Sequence, residues 1–268
     1  SRGGSGNSSL PAVAIGNAFV ATRIAAGERH TCALSNVGGV KCWGDNRSGQ
    51  LGYGDTLARG HTANTMGDNL TYVALPAPAI DLVAGGSHTC AHLSSNSLVC
   101  WGSNNFGQLG VGVPGNVGDE PNEMGSSIDG VSLGANFAIA HVRVGFAQSC
   151  VLGWSGDIKC FGYNGDGRLG LGDTRNRGLT TDDMGDALPS LYLAPQLPAD
   201  GLQCGERHCC AHFVTHTLKC WGMNTSGQLG VGDLLNRGAD PGAMGNELPF
   251  TKLGRLYNVQ QVAIGAFH

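Results

Sequence analysis

The sequence predicts an all-β repeat protein, and three observations carry that expectation. Four cysteine pairs, Cys32/Cys42, Cys90/Cys100, Cys150/Cys160 and Cys210/Cys220, share a ten-residue spacing, and their second members recur at intervals of 58, 60 and 60. Glycine supplies 45 of the 268 residues, against an average usage near 7%, so the chain turns often and tightly. Each pair is followed by the same glycine-punctuated element, G-[QR]-L-G-x-G, at 49–54, 107–112, 167–172 and 227–232. A fixed period of this size marks stacked structural units rather than a continuous globular core.

Within a unit the elements follow in order. His30–Leu34 and Val40–Gly44 flank a polar turn at 35–39 and read as a β-hairpin. If residues 35 and 39 face each other, antiparallel counting sets 34 opposite 40, 33 opposite 41 and Cys32 opposite Cys42. Opposed residues on paired strands lie within reach of a disulfide, whereas zinc sites more often use Cys-x2–4-Cys spacing. The spacing therefore favours four cross-strand bridges. Two further cysteines, Cys204 and Cys209, flank the Gly205–His208 turn of the fourth unit. They read as a mutual disulfide, with a bridge to something outside the chain as the alternative. Met-Gly pairs at 66, 124, 184 and 244 complete each unit.

The net charge of −4 and the absence of a basic cluster argue against a nucleic-acid partner. No apolar run reaches about 18 residues, so no membrane insertion by this segment is expected. Paired cysteines in every unit suit an oxidising, extracellular or cell-surface setting.

Read together, H-T-C-A-L, V-K-C-W-G and G-Q-L-G-x-G-D resemble the regulator-of-chromosome-condensation repeat, and the resemblance runs from about Leu10 to His268. It implies a β-propeller, commonly seven-bladed, with one four-stranded sheet per repeat. The M-G-[DN]-x-L-P stretches are similar to the secreted, cysteine-bearing variety in large surface proteins of algae and other protists. The expected organisation is a linker or the end of a preceding repeat at 1–9, repeats at about 10–69, 70–127, 128–187 and 188–247, and a partial repeat at 248–268. Four repeat periods out of phase with both termini suggest a piece of a longer chain, belonging to a larger or closed propeller. The nucleotide-exchange and β-lactamase-inhibitor activities known in the family reside in loops that this sequence does not match.

His30, His88, His208 and His268 are equivalent, with Gln148 in the same slot; a metal-binding ring competes with hydrogen bonding to backbone at a turn. Asp55, Asp173 and Asp233 supply one carboxylate each, too few for calcium, and read as turn caps. Trp43, Trp101, Phe161 and Trp221 read as packing between units rather than as a sugar platform. No catalytic constellation, metal site or cofactor motif stands out. Sequons at Asn7, Asn46, Asn69 and Asn224 offer N-glycan acceptors, and the equivalent turns carrying Asn46 and Asn224 are expected to be exposed.

The expected function is non-enzymatic: an extracellular structural or protein-interaction module of a large surface, cell-wall or flagellar-hair (mastigoneme) assembly, with other chains, the same or different, as partners. The alternatives are a propeller that binds and inhibits a protein partner and, distantly, a guanine-nucleotide exchange factor of a small GTPase.

Overall fold

A computed structural model describes residues 11–194, 197–254 and 258–268. Among the described residues, twelve strands form four three-stranded antiparallel sheets, or blades, each in sequence order. Blade 1 holds β1 (Ala21–Ala26), β2 (His30–Ser35) and β3 (Val40–Gly44). Blade 2 holds β4 (Ala79–Ala84), β5 (His88–Leu93) and β6 (Leu98–Gly102). Blade 3 holds β7 (Ile139–Val144), β8 (Gln148–Gly153) and β9 (Ile158–Gly162). Blade 4 holds β10 (Ala199–Cys204), β11 (His208–Phe213) and β12 (Leu218–Gly222).

The hairpin register matches the count made from sequence. Cys32 faces Cys42, Ala33 faces Lys41 and Leu34 faces Val40, and the other three hairpins repeat the pattern. Each first strand also carries a bulge at the same place, between Ala21 and Arg23, Ala79 and Asp81, Ile139 and His141, and Ala199 and Gly201. A bulge adds one unpaired residue and increases local twist. It recurs once per blade, as a designed feature of the unit does.

The expected fourth strand is reduced to a tether. Val73, Val131, Leu191 and Thr251 each donate one backbone hydrogen bond, of 2.7–2.9 Å, to Val40, Leu98, Ile158 and Leu218 at the start of a third strand. No longer ladder forms there among the described residues. Pro76, Pro189 and Pro249 flank three of these segments, and proline removes the donor that a ladder needs.

The core lies between sheets rather than inside any one of them. Leu34, Val40 and Leu51 of the first unit pack with Leu82, Leu93, Val99 and Trp101 of the second. The third and fourth units share Leu152, Ile158, Leu169, Leu202, Phe213 and Trp221 in the same way. A three-stranded sheet alone cannot bury its faces, so each blade is stable only against a neighbour. No helix of the described residues is long and apolar enough to cross a membrane.

Candidate functional site: the blade seams and the inner channel

Each seam is locked by glycine. Trp101, Phe161 and Trp221 are fully buried and lie over the second glycine of the preceding G-[QR]-L-G element. A Cβ on Gly52 would sit 2.7 Å from the Trp101 Nε1, and Gly52 holds φ +74°, so both space and conformation exclude a side chain there. Trp43, which has no described blade before it, is only half-buried. The aromatics are thus inter-blade packing, as their place in the repeat indicated.

Asn46, Asn104, Asn164 and Asn224 staple the loop that follows. Each side-chain amide donates to the carbonyl nine residues on, at 2.7–2.9 Å, and each Oδ1 accepts from the buried leucine five residues on. This corrects the expectation for the sequons at Asn46 and Asn224: both side chains are 0% exposed and their Nδ2 atoms are engaged. The turns are exposed in part, but the asparagine is the residue they bury. Asn69 is exposed, and Asn7 lies outside the described residues. Asp55, Asp173 and Asp233 pair with Arg59, Arg177 and Arg237 at 2.6–2.8 Å. The Arg59 hydrogen bond holds Asp55 below the usual carboxylate range. These carboxylates close their own loops.

The histidine slot works across the seam, not at its own turn. His30 Nε2 lies 2.9 Å from Thr89 Oγ1, and Thr89 donates to the Gln50 carbonyl at 2.9 Å. His88 Nε2 reaches Ser149 Oγ at 3.0 Å, and Ser149 donates to the Gln108 carbonyl at 2.8 Å. Because each hydroxyl gives its proton to a carbonyl, it accepts from histidine, which places the imidazole proton on Nε2. Nδ1 of His30, His88 and His208 is buried without a partner. A second proton there would be an unsatisfied buried charge, so burial pushes His30 down to about 4, His88 to about 3 and His208 to about 4.

The seam between blades 3 and 4 departs from this. Gln148 replaces histidine and donates to the Gly205 carbonyl at 3.2 Å. Cys209 occupies the hydroxyl position, and its Sγ lies 3.9 Å from Cys150 Sγ. In blade 2 the equivalent Thr89 Oγ1 lies 4.0 Å from Cys32 Sγ. The structure pairs Cys32–Cys42, Cys90–Cys100, Cys150–Cys160 and Cys210–Cys220, each with Cα atoms 4.0–4.1 Å apart, and Cys204–Cys209 with Cα atoms 4.1 Å apart. No free cysteine remains among the described residues.

Sequence reasoning passed over two features. Lys41, Lys159 and Lys219 are buried ammonium groups, each donating to two carbonyls 26 residues away, one of them in the Met-Gly turn. Their spacing of 118 and 60, with Val99 in the missing slot, was the available signal. The second is the inner channel, where first strands converge. Arg23 pairs with Asp81, Arg143 Nη1 lies 4.0 Å from the same carboxylate, and Arg143 Nε donates to Gln203 at 3.2 Å. These positions vary between repeats, so no period announces them.

Stacked blades of one recurring hairpin, sealed by glycine and a buried aromatic, define a β-propeller arc. The model of the regulator of chromosome condensation (RCC1) repeat matches residues 21–50 and 79–108, covering the first two hairpins and their inner strands. The chain is similar to RCC1-repeat proteins over these two stretches. It is 29% identical over 230 residues to the probable E3 ubiquitin-protein ligase HERC4 of Homo sapiens, covering 85% of this chain and 20% of the ligase. It is 29% identical over 219 residues to the ultraviolet-B receptor UVR8 of Arabidopsis thaliana, covering 80% of this chain and 44% of the receptor. Among solved structures, Prp20p from Saccharomyces cerevisiae superposes with TM-score 0.63 at 21% identity, covering 85% of this chain and 51% of that one. The chain thus spans about a fifth of the ligase and under half of the receptor. The propeller architecture follows from these matches, and an RCC1-type propeller is suited to protein interaction.

Proposed function

We propose that this chain is a non-enzymatic protein-interaction module of an extracellular or cell-surface assembly. One observation carries the reading: every blade holds a cross-strand cysteine pair, and the fourth blade holds two. Buried disulfides at a fixed repeat position are maintained in oxidising compartments and are rare where thiols are kept reduced. The polar groups of the repeat support it as well. The histidines brace the seams, and the asparagines, lysines and loop carboxylates tie down loops and turns, which leaves the variable channel and rim residues as the recognition surface. Arrayed blades present such a surface to other chains, the same or different, in a surface, cell-wall or flagellar-hair assembly. An N-glycan on the exposed Asn69 fits the same setting.

Non-reducing and reducing peptide mass mapping of protein from its natural source tests the compartment. The expected result is all ten cysteines in disulfides, with Cys204, Cys209, Cys210 and Cys220 in one linked cluster, and a glycan mass on Asn69 but none on Asn46 or Asn224. Free thiols at all eight hairpin cysteines would overturn it. The second reading, a propeller that inhibits a protein partner, is favoured if the purified chain is a monomer that binds a single soluble protein one to one. The exchange-factor reading has no residue of this chain to support it.

A further inference from the structure

Cys150, Cys204 and Cys209 bring their sulfurs within 4.8 Å of one another, although they belong to two different disulfides on two blades. Cys150 and Cys209 are 0% exposed, whereas Cys204 is partly exposed and lines the inner channel. The channel beside it is a cavity of about 390 Å³ bordered by Arg23, Arg143 and Gln203. Two guanidinium groups there share the single carboxylate of Asp81, so the cavity carries a surplus of positive charge. Cys204 therefore borders an electropositive pocket. Behind it lie two sulfurs that solvent does not reach.

We infer that Cys204 is a thiol-exchange site for a small anionic thiol, and that Cys209 relays the exchange across the seam to Cys150. An incoming thiolate attacks Cys204 Sγ. The Cys204–Cys209 bond breaks, a mixed disulfide forms on Cys204, and the electron pair leaves on Cys209. The Cys209 thiolate is in contact with Cys150 Sγ at 3.9 Å and attacks it. A Cys150–Cys209 bond forms, the Cys150–Cys160 bond breaks, and the electron pair leaves on Cys160, which takes a proton from water. Each step exchanges one disulfide for another, so the incoming thiol is the sole co-reactant. The outcome ties β8 to β11 and converts a bridge within a blade into one between blades. Thr89 and Ser149 stand where Cys209 stands, and a hydroxyl cannot do this, which confines the relay to the seam between blades 3 and 4.

Glutathione is the probe. The oxidised protein is incubated with it without oxygen, quenched in acid, alkylated and mapped without reduction. The expected first product is a glutathione adduct on Cys204, formed at least tenfold faster than on any of the eight hairpin cysteines. A linked Cys150–Cys209 peptide with alkylated Cys160 follows. The rate with glutathione falls several-fold in Arg143→Gln or at high salt in the unaltered protein, while the rate with uncharged 2-mercaptoethanol does not. Adducts spread evenly over the five disulfides, or none on Cys204, overturn the site. A Cys204 adduct with no Cys150–Cys209 link overturns the relay. Equal salt dependence for the two thiols overturns the role of the guanidinium groups.

Discussion

Between blades 1 and 2, Thr89 receives the His30 ring and passes its own proton to the Gln50 carbonyl; between blades 3 and 4, Cys209 stands in the same place and does neither. Both seams are buried and both close around an aromatic over glycine. The first satisfies a buried ring with a hydroxyl. The second removes the need, because Gln148 reaches a backbone carbonyl and leaves the neighbouring position free for sulfur. The two substitutions make sense only together. A histidine beside Cys209 would lose its acceptor, and a glutamine beside a threonine would leave that hydroxyl without a donor. The comparison teaches that a repeat can host a local exception when both sides of one seam change.

The largest effect comes from filling a close approach between blades 2 and 3. A Cβ on Gly85 would meet His88 Cε1 at 2.3 Å and the Gly145 carbonyl at 2.5 Å, so Gly85→Ala should cost about 3 kcal/mol in denaturant unfolding. Gly67→Ala has open space and strains only φ +68°, and should cost about 1 kcal/mol. Equal losses would show that the seam yields.

Next come the disulfides. Removing the Cys90–Cys100 bridge, which closes a ten-residue separation, should lower stability by about 3 kcal/mol. Removing Cys204–Cys209, with a separation of five, should cost about 2 kcal/mol. A reversed order would place the stabilising role of the fourth blade in its extra bridge.

Exchanging the seams sharpens the comparison further. Gln148→His alone should cost about 1–2 kcal/mol, because its ring finds no hydroxyl. Combined with Cys204→Ala and Cys209→Thr, it should be milder than the sum of the parts, with a coupling of about 1 kcal/mol. Additivity would dissolve the linkage between the two positions.

The smallest effect at neutral pH belongs to His88→Gln, about 1 kcal/mol, but it alters the acid response. The folded values near 3 and 4 lie below the ordinary 6.5, so the unfolded chain binds more protons in between. The histidine contribution is complete above about 6.5 and is lost as pH falls toward 4 and below. Unfolding titrations of His88→Gln should show a shallower acid slope than the unaltered protein. An unchanged slope would place the proton uptake elsewhere.

Much of the fold was legible because the repeat prints each constraint four times. The hairpin register, the cysteine pairs and the inter-blade aromatics could be counted from spacing alone. Asn46 and Asn224 were misjudged because a polar turn residue normally faces water, and only the folded loop shows an amide buried to satisfy backbone. The outer fourth strand that the resemblance implies is one backbone hydrogen bond per blade, and Pro76, Pro189 and Pro249 limit its growth in three of the four units.

Sequence by itself determined the period, the register and the chemistry available at each repeat position, since these follow from local pairing rules. Tertiary structure alone decided which sulfurs meet across a seam. Cys150 and Cys209 are 59 residues apart, and no local rule joins them. They touch because inter-blade burial presses one sheet onto the next, placing position for position in contact across the seam.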